Sequence, residues 1–140
     1  MTRRRRKKLS RRLVVAALVG DLAGVRAALR AGAPAETTDT AGSTPLYLAS
    51  VNGTADIVRV LLAAGAFPDT ESGIGSEGTP LCGAAAWGHT EAVRALLEGG
   101  ADPDLREDHG TGLAPLDWAS RGPYPETVDL LVAAGAHPSR

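Results

Sequence analysis

Apolar residues in this chain recur with a spacing of three and four residues, and the whole pattern repeats at intervals of 33 to 35 residues. This spacing puts the apolar residues on one side of a helix, so each copy is predicted to form an amphipathic helix with one buried stripe. The stripe has three sets of equivalent positions: Val25, Val58, Val93 and Val128; Ala28, Leu61, Leu96 and Leu131; and Leu29, Leu62, Leu97 and Val132.

A second, shorter helix is predicted before each striped helix. A Thr followed by Pro favours a helix start, because the hydroxyl caps backbone N–H groups and proline needs no partner in the first turn. Glycines favour helix ends because they tolerate a left-handed backbone. The starts are Thr44-Pro45-Leu46, Thr79-Pro80-Leu81 and the altered Ala114-Pro115-Leu116; the short helices end at Gly20, Gly53 and Gly88, and the striped ones at Gly32, Gly65, Gly100 and Gly135. Asp21 and Thr54 are the expected caps of the first two striped helices.

These motifs resemble the ankyrin-repeat family. The segment from Thr79-Pro80-Leu81 to Gly88-His89-Thr90-Glu91-Ala92-Val93 is close to the family's typical line, and the pattern extends over residues 13–138. The resemblance implies an all-α ankyrin-repeat solenoid of about four helix–turn–helix units with projecting finger loops. We expect units near residues 13–36, 37–69, 70–104 and 105–140. Abundant Ala, Gly and Arg, with lysine only at Lys7 and Lys8, suggest a short bacterial-type member.

The chain departs from the family pattern at two places. The family usually has His after Thr-Pro-Leu, where it bonds within and between finger loops, but this chain has Tyr47, Cys82 and Asp117. We therefore expect the finger networks to be altered or absent. The fourth unit also has Pro123-Tyr124 where Gly-His is usual, and it is expected to be the least regular unit.

Charge is distributed unevenly along the chain. Residues 1–12 contain 8 of the 15 basic residues: Arg3, Arg4, Arg5, Arg6, Lys7, Lys8, Arg11 and Arg12. The remaining chain has 7 basic residues against 16 acidic ones, so the average net charge of −1 describes neither part. Self-repulsion within residues 1–12 predicts a disordered basic arm ahead of a repeat domain over residues 13–140.

Several functions of the basic arm remain open. Ser10-Arg11-Arg12 and the following apolar run are similar to a twin-arginine secretion signal, but the run also aligns with the first repeat helix, which we favour. The arm could be a solvated tail, could fold against the acidic body, or could lie upstream of the true start. It could also contact nucleic acid or another anionic surface, and such binding would be sequence-blind because no aromatic residue is interleaved with the cations.

Catalytic and metal chemistry find little support in the sequence. The three histidines, His89, His109 and His137, fall in different units at nonequivalent positions. Cys82 is the single cysteine, which excludes an intramolecular disulfide and is consistent with the cytoplasm. No apolar run approaches the roughly 20 residues that cross a bilayer. We therefore expect no enzyme activity, no metal and no cofactor.

The resemblance places a partner on the finger tips and the short inner helices. Trp87 is the main candidate, because an exposed Trp on a groove is a natural interface anchor; it could instead pack on Val51 and Asn52. Trp118 is expected in the core. The other candidates are Thr40, Ser43, Tyr47, Val51, Asn52, Ser76, Glu77, Ala86, His109, Leu113 and Arg121.

The function that follows is a non-catalytic adaptor or inhibitor that binds another protein. Acidic residues in the finger loops suggest a partner with a basic patch. The alternative is a protein that associates with nucleic acid or an anionic surface through the basic arm alone. We expect a monomer with no transmembrane segment.

Overall fold

The computed structural model describes residues 1–74 and 77–139, and within these ranges the regular secondary structure is helical apart from one isolated bridge between Ser72 and Gly78. The helices are α1 (Arg3–Val19), α2 (Leu22–Arg30), α3 (Pro45–Asn52), α4 (Ala55–Ala63), α5 (Pro80–Ala86), α6 (Thr90–Glu98), α7 (Glu107–Gly110), α8 (Pro115–Ser120) and α9 (Pro125–Ala133).

The helices form two layers of a solenoid. Helices α1 and α2, α3 and α4, α5 and α6, and α8 and α9 pack as pairs. The first member of each pair contacts the first member of the next, and the second members do the same, which gives an inner layer of α1, α3, α5 and α8 and an outer layer of α2, α4, α6 and α9. The loops between α2 and α3, α4 and α5, and α6 and α8 are the finger loops. This confirms the predicted all-α repeat solenoid.

The inner helices α3 and α5 begin where the sequence predicts. The hydroxyls of Thr44 and Thr79 accept hydrogen bonds from the backbone N–H groups of Tyr47 and Cys82, each ahead of a proline in the first turn. Helix α3 ends at Gly53 with φ 73°, a left-handed conformation that favours glycine.

Asp21 and Thr54 both stand at the expected N-cap positions of the outer helices α2 and α4, but only Asp21 caps with its side chain. The carboxylate of Asp21 accepts a hydrogen bond from the backbone N–H of Gly24 and caps α2. Thr54 makes no such bond, because its hydroxyl donates to the carbonyl oxygen of Ala49 instead.

The predicted stripe forms the seam between units in three of the four pairs. Val25, Val58 and Val93 are fully buried, and so are Leu61, Leu96 and Leu131. The fourth pair differs, since Thr127 is buried there while Val128 is half-buried. The hydroxyls of Thr127 and Thr90 lie 2.8 Å apart, so a hydrogen bond satisfies the buried polar group. Val132, at the equivalent stripe position on α9, is 55% exposed.

The basic segment is helical, which corrects the expectation of a disordered arm at residues 1–12. Helix α1 begins at Arg3 and continues through the expected boundary at residue 13. Leu9 lies one helical turn before Leu13, and both side chains are buried in the core while the eight cations are exposed. Cations at a helix N-terminus interact unfavourably with the helix dipole. Burial of Leu9 compensates for this interaction, and the prediction of a disordered arm did not include it because it considered charge alone.

Replacing Leu9 with Ala should therefore destabilise the whole domain by about 2 kcal/mol, because it leaves a cavity under α1. Urea unfolding measures this change in the free energy of unfolding. Val15→Ala in the same helix is the matched control, since Val15 is 50% exposed and its loss should cost less than about 0.5 kcal/mol. Equal stabilities of Leu9→Ala and the wild type would contradict the packing of the basic segment.

Candidate functional site

A pocket of about 460 Å³ opens on the surface formed by α3, α5 and α8. It gathers both tryptophans and both tyrosines of a chain that has five aromatic residues in all, so the aromatic side chains are concentrated here. We call it the aromatic pocket. Its lining residues are Tyr47, Glu77, Cys82, Gly83, Ala86, Trp87, Glu107, Trp118, Arg121, Gly122 and Tyr124.

The four rings come from successive units. Tyr47 lies on α3, Trp118 on α8, and Trp87 and Tyr124 at the junctions that follow α5 and precede α9. Trp87 is 61% exposed, which rules out the alternative that it is buried against Val51 and Asn52. Trp118 is half-buried: it packs against the core as expected but also contributes to the pocket.

Glycines make room for these rings. A Cβ atom at Gly83 would lie 2.9 Å from Cγ2 of Val51 and 3.1 Å from Cε1 of Tyr47, so the absent side chain lets α3 and α5 approach closely. Gly88, with φ 67°, lies directly under the ring of Tyr124. A larger residue at either position would collide with a neighbouring unit.

Two carboxylates face the same pocket and are held by hydrogen bonds. Oε1 of Glu77 accepts from the hydroxyls of Ser43 and Ser72, both at 2.8 Å. Oε1 of Glu107 accepts from the indole N–H of Trp118. The hydroxyl of Tyr47 donates to the carbonyl oxygen of Glu77 at 3.2 Å. These bonds fix the positions of the acidic groups before any partner arrives.

Burial changes the ionisation of the pocket. It raises the pKa of Glu107 above the usual value, although hydrogen bonds from Trp118 and Cys82 act in the opposite direction. Burial, followed by the charges of Glu77 and Glu107, also raises the pKa of Tyr47, which keeps the phenol protonated. Glu107 therefore ionises less readily than an exposed glutamate.

One cation already stands at the rim of the pocket. The guanidinium carbon of Arg121 lies 5.2 Å from the ring centroid of Trp118, within the range of a cation–π interaction. Arg121 is exposed, so its side chain can leave this position without opening the core.

Two of the residues that replace the family's histidine, Tyr47 and Cys82, contact the finger loop that follows them, and the third, Asp117, bonds to the start of its own helix and to the segment after α9. Cys82 is 2% exposed, and its Sγ lies 3.8 Å from the carbonyl oxygen of Leu105 and 3.7 Å from that of Leu113. Asp117 accepts hydrogen bonds from the backbone N–H groups of Ala114 and Ser139. Together with the bond from Tyr47 to Glu77, these contacts show that the finger networks are altered and not lost.

Asp117 illustrates the strength of these altered networks. Its burial raises the pKa, but hydrogen bonds from Ser139 and Ala114 outweigh that effect, so the pKa of Asp117 lies below its usual value. Burial raises the pKa of Cys82 well above the usual range, so its thiol stays protonated and inert.

Other finger carboxylates join neighbouring units. Glu36, Asp69 and Asp104 accept hydrogen bonds from the backbone N–H groups of Phe67, Asp102 and His137, respectively. These contacts recur at nearly the same interval as the repeat. Some of the acidic side chains in the finger loops therefore connect neighbouring units through hydrogen bonds. The sequence had suggested only that these acidic residues recognise a partner.

The candidate residues from the sequence separate into two groups. The aromatic pocket brings together Tyr47, Glu77, Ala86, Trp87 and Arg121. Thr40, Ser43, Val51, Asn52, His109 and Leu113 lie outside its lining. Ser76 lies outside the described residues.

Several of the outlying candidates have structural contacts. Ser43 is buried and supports Glu77, so it is not a surface residue. The amide of Asn52 donates to the carbonyl oxygen of Leu18, and Val51 packs at Gly83. The backbone N–H of His109 donates to Glu71 from a left-handed turn with φ 55°. Thr40 stays exposed on its finger.

Sequence reasoning did not place Trp118, Tyr124 or Glu107 in a pocket, although Glu107 is one of the acidic finger residues from which a partner with a basic patch is expected. Aligning the repeats could have found two of them, because Tyr124 is equivalent to His89 and Trp118 to Gly83, each 35 residues earlier. His89 itself packs over Gly53. No repeat signal indicates Glu107, since it lies in a finger loop of irregular backbone.

Metal binding is not supported by the described part of the chain. Within residues 1–74 and 77–139, no group of three or more His, Cys, Asp or Glu side chains could hold a metal ion. His137 pairs instead with Asp104 through a contact of 3.0 Å between Nδ1 and Oδ2.

A second groove, of about 440 Å³, lies between α1 and α2 at the N-terminal end of the solenoid. Leu9, Val15 and Val19 line it together with Arg11 and Arg12. The sequence did not predict this groove, because it requires the basic segment to be helical.

Comparison with known proteins identifies the repeat type. A family model described as "Ankyrin repeats (3 copies)" matches residues 13–107 and residues 65–140, which together span most of the chain. No curated protein sequence matches the chain. Among residues 1–74 and 77–139, none of the helices has the length and apolar character needed to cross a membrane.

The thiol of Cys82 should react slowly in the folded protein, because it is buried and protonated. At pH 8 its reaction with a disulfide reagent such as DTNB should be at least about tenfold slower than in guanidinium-unfolded protein, and the native rate should stay low at pH 9. Absorbance of the released thiolate measures both rates. A rapid native reaction would show that the finger loops leave the thiol accessible.

Proposed function

Because this chain belongs to the ankyrin-repeat family, we propose that it is a non-catalytic adaptor or inhibitor that binds another protein in the aromatic pocket. Ankyrin repeats are generally protein–protein interaction modules, and the family is generally non-catalytic. The proposal assigns the partner to the inner-helix side of the solenoid.

The observation that carries the proposal is the exposure of Trp87 on the rim of a pocket that contains three further rings. Aromatic side chains that cluster at an exposed surface mark interaction sites, and Trp and Tyr are enriched among the residues that dominate binding energy. Their side chains are also rigid, so little conformational entropy is lost when a partner covers them.

The charge of the pocket supports a partner with a basic patch. Glu77 and Glu107 line the pocket, and the neighbouring fingers carry further acidic residues. Opposite charges speed association at low ionic strength, so the association rate should fall as salt is added.

Trp87→Ala should weaken capture of the natural partner by about 2 kcal/mol, or roughly 30-fold, while leaving the free energy of unfolding within about 0.5 kcal/mol of the wild type. The measurement is affinity capture from the native lysate, followed by titration of the captured protein. Phe67→Ala is the matched control, because Phe67 is 65% exposed but lies outside the aromatic pocket. Equal capture by Trp87→Ala and the wild type would overturn the proposal, and so would a melting temperature lower by several degrees.

A second candidate function rests on helix α1. Its eight cations are all exposed, and Val15, Leu18 and Val19 are exposed on the same helix. A cationic helix with exposed apolar residues has the chemistry to associate with an anionic surface such as nucleic acid. In this alternative, α1 attaches the protein to the anionic surface and the repeats bind a further protein there.

Replacing Arg3, Arg4, Arg5 and Arg6 with Gln tests the second candidate without removing Leu9 from the core. If four cations neutralise phosphates of duplex DNA, log K should fall against log salt with a slope of about −3.6, and the variant should lose that slope. Fluorescence anisotropy with mixed-sequence DNA at low salt measures it. A variant with the same change in charge elsewhere, at Arg26, Arg30, Arg59 and Arg94, is the control. Equal binding by the two variants would contradict a role for α1.

A further inference from the structure

We propose that the aromatic pocket is a receptor for one arginine side chain presented by an exposed segment of the protein partner. This inference rests on the proposed function and specifies the chemistry of the residue that enters the pocket. It follows from two features that meet in the same cavity, four aromatic rings and two carboxylates.

The combination of groups selects for a cation with apolar faces. Aromatic faces are electron-rich and attract cations, while the carboxylates supply the opposite charge and accept hydrogen bonds. A neutral apolar side chain would displace water from Glu77 and Glu107 without offering an opposite charge or a hydrogen-bond donor in return, which is unfavourable. An acidic side chain would be repelled.

Arg121 shows that a guanidinium fits the rings of this pocket. Its guanidinium carbon lies 5.2 Å from the ring centroid of Trp118, and its side chain reaches that ring from the exposed rim of the pocket. Trp87, Tyr124 and Tyr47 lie around the same cavity, so an incoming guanidinium has other rings to contact.

The carboxylates are already held in place. Ser43 and Ser72 hold Oε1 of Glu77, and the indole of Trp118 holds Oε1 of Glu107. Because these groups need no reordering, a ligand cation would lose less free energy to conformational entropy on binding.

Size and shape favour arginine over lysine. A cavity of about 460 Å³ falls within the roughly 300–1,000 Å³ of pockets that enclose small ligands, and it suits one long side chain better than a whole helix. The guanidinium is planar, stacks on aromatic faces and makes forked hydrogen bonds with carboxylates, whereas an ammonium is a strongly hydrated point charge. An arginine side chain can therefore both stack on the aromatic rings and bond to the carboxylates of the pocket.

The test is a titration of the full-length, ¹⁵N-labelled chain with acetyl-Ala-Arg-Ala-amide, followed through the two indole N–H signals. The chain has two tryptophans, both at the pocket, so Trp87→Phe and Trp118→Phe assign the signals. We expect both signals to shift saturably. The same peptide with citrulline, which is neutral and nearly isosteric, should bind at least about tenfold more weakly, and the lysine peptide should bind more weakly than the arginine peptide.

Glu77→Gln supplies the second measurement. It keeps an acceptor for the hydroxyls of Ser43 and Ser72 but removes the negative charge. The affinity for the arginine peptide should therefore fall at least about fivefold, with no loss of the circular dichroism signal. Glu98→Gln, an exposed acid outside the pocket, should have no effect.

Equal binding of the arginine and citrulline peptides, equal binding of the lysine peptide, or no shift of the indole signals would each overturn the assignment. These results are separable from failure of the proposed function. If Trp87→Ala still abolished partner capture, the pocket would bind the partner through another residue type. If the arginine peptide bound as expected while Trp87→Ala had no effect on capture, the pocket would be a guanidinium site and the proposed function would fail.

Discussion

Stacking of one helix pair on the next is the interaction on which the rest of this structure depends. A single pair has one apolar stripe and no second layer to cover it, so its stripe stays in water until a neighbouring pair packs on it. The buried valines Val25, Val58 and Val93 and the leucines beside them supply that contact between units. Each unit is therefore stable through its neighbours, and the short loops and helix caps only need to hold the register.

Because the units pack through these buried stripes, the residues at the exposed surface of the inner helices are not fixed by packing. The stripe fixes the outer helices, and the glycines fix where helices end, but the last residues of the inner helices face away from the seams. Trp87 and Arg121 occupy such places, and Tyr124 lies at the junction before α9. They converge because the repeat brings successive inner helices side by side. Gly83 makes this possible because it has no side chain, and a side chain there would collide with Tyr47 and Val51. A pocket with both rings and carboxylates can thus arise without disturbing the core.

The first and last of the described helices, α1 and α9, differ from the helices between them. At the C-terminal end, Val132 holds a stripe position but remains exposed on α9. At the N-terminal end, α1 is longer than the other helices, and Leu9 extends its buried side below the cations. The basic residues are thereby presented on an ordered helix, which positions their charge more firmly than a tail would.

The sequence by itself determined the repeat and the helix pairs, because a stripe of valine and leucine at fixed intervals has few other ways to be buried. The family followed from the resemblance of the motifs around the stripe to known ankyrin repeats. The sequence also singled out Trp87, whose place before Gly88 lies off the stripe. Tertiary structure alone decided that α1 begins at Arg3, since burial of Leu9 depends on a contact between distant residues and outweighs local charge repulsion. It also decided that Trp118 and Glu107 share a pocket with Trp87. That convergence joins residues from different units. The alignment of the repeats could have indicated Trp118, but no spacing in the sequence indicates Glu107, which lies in a finger loop.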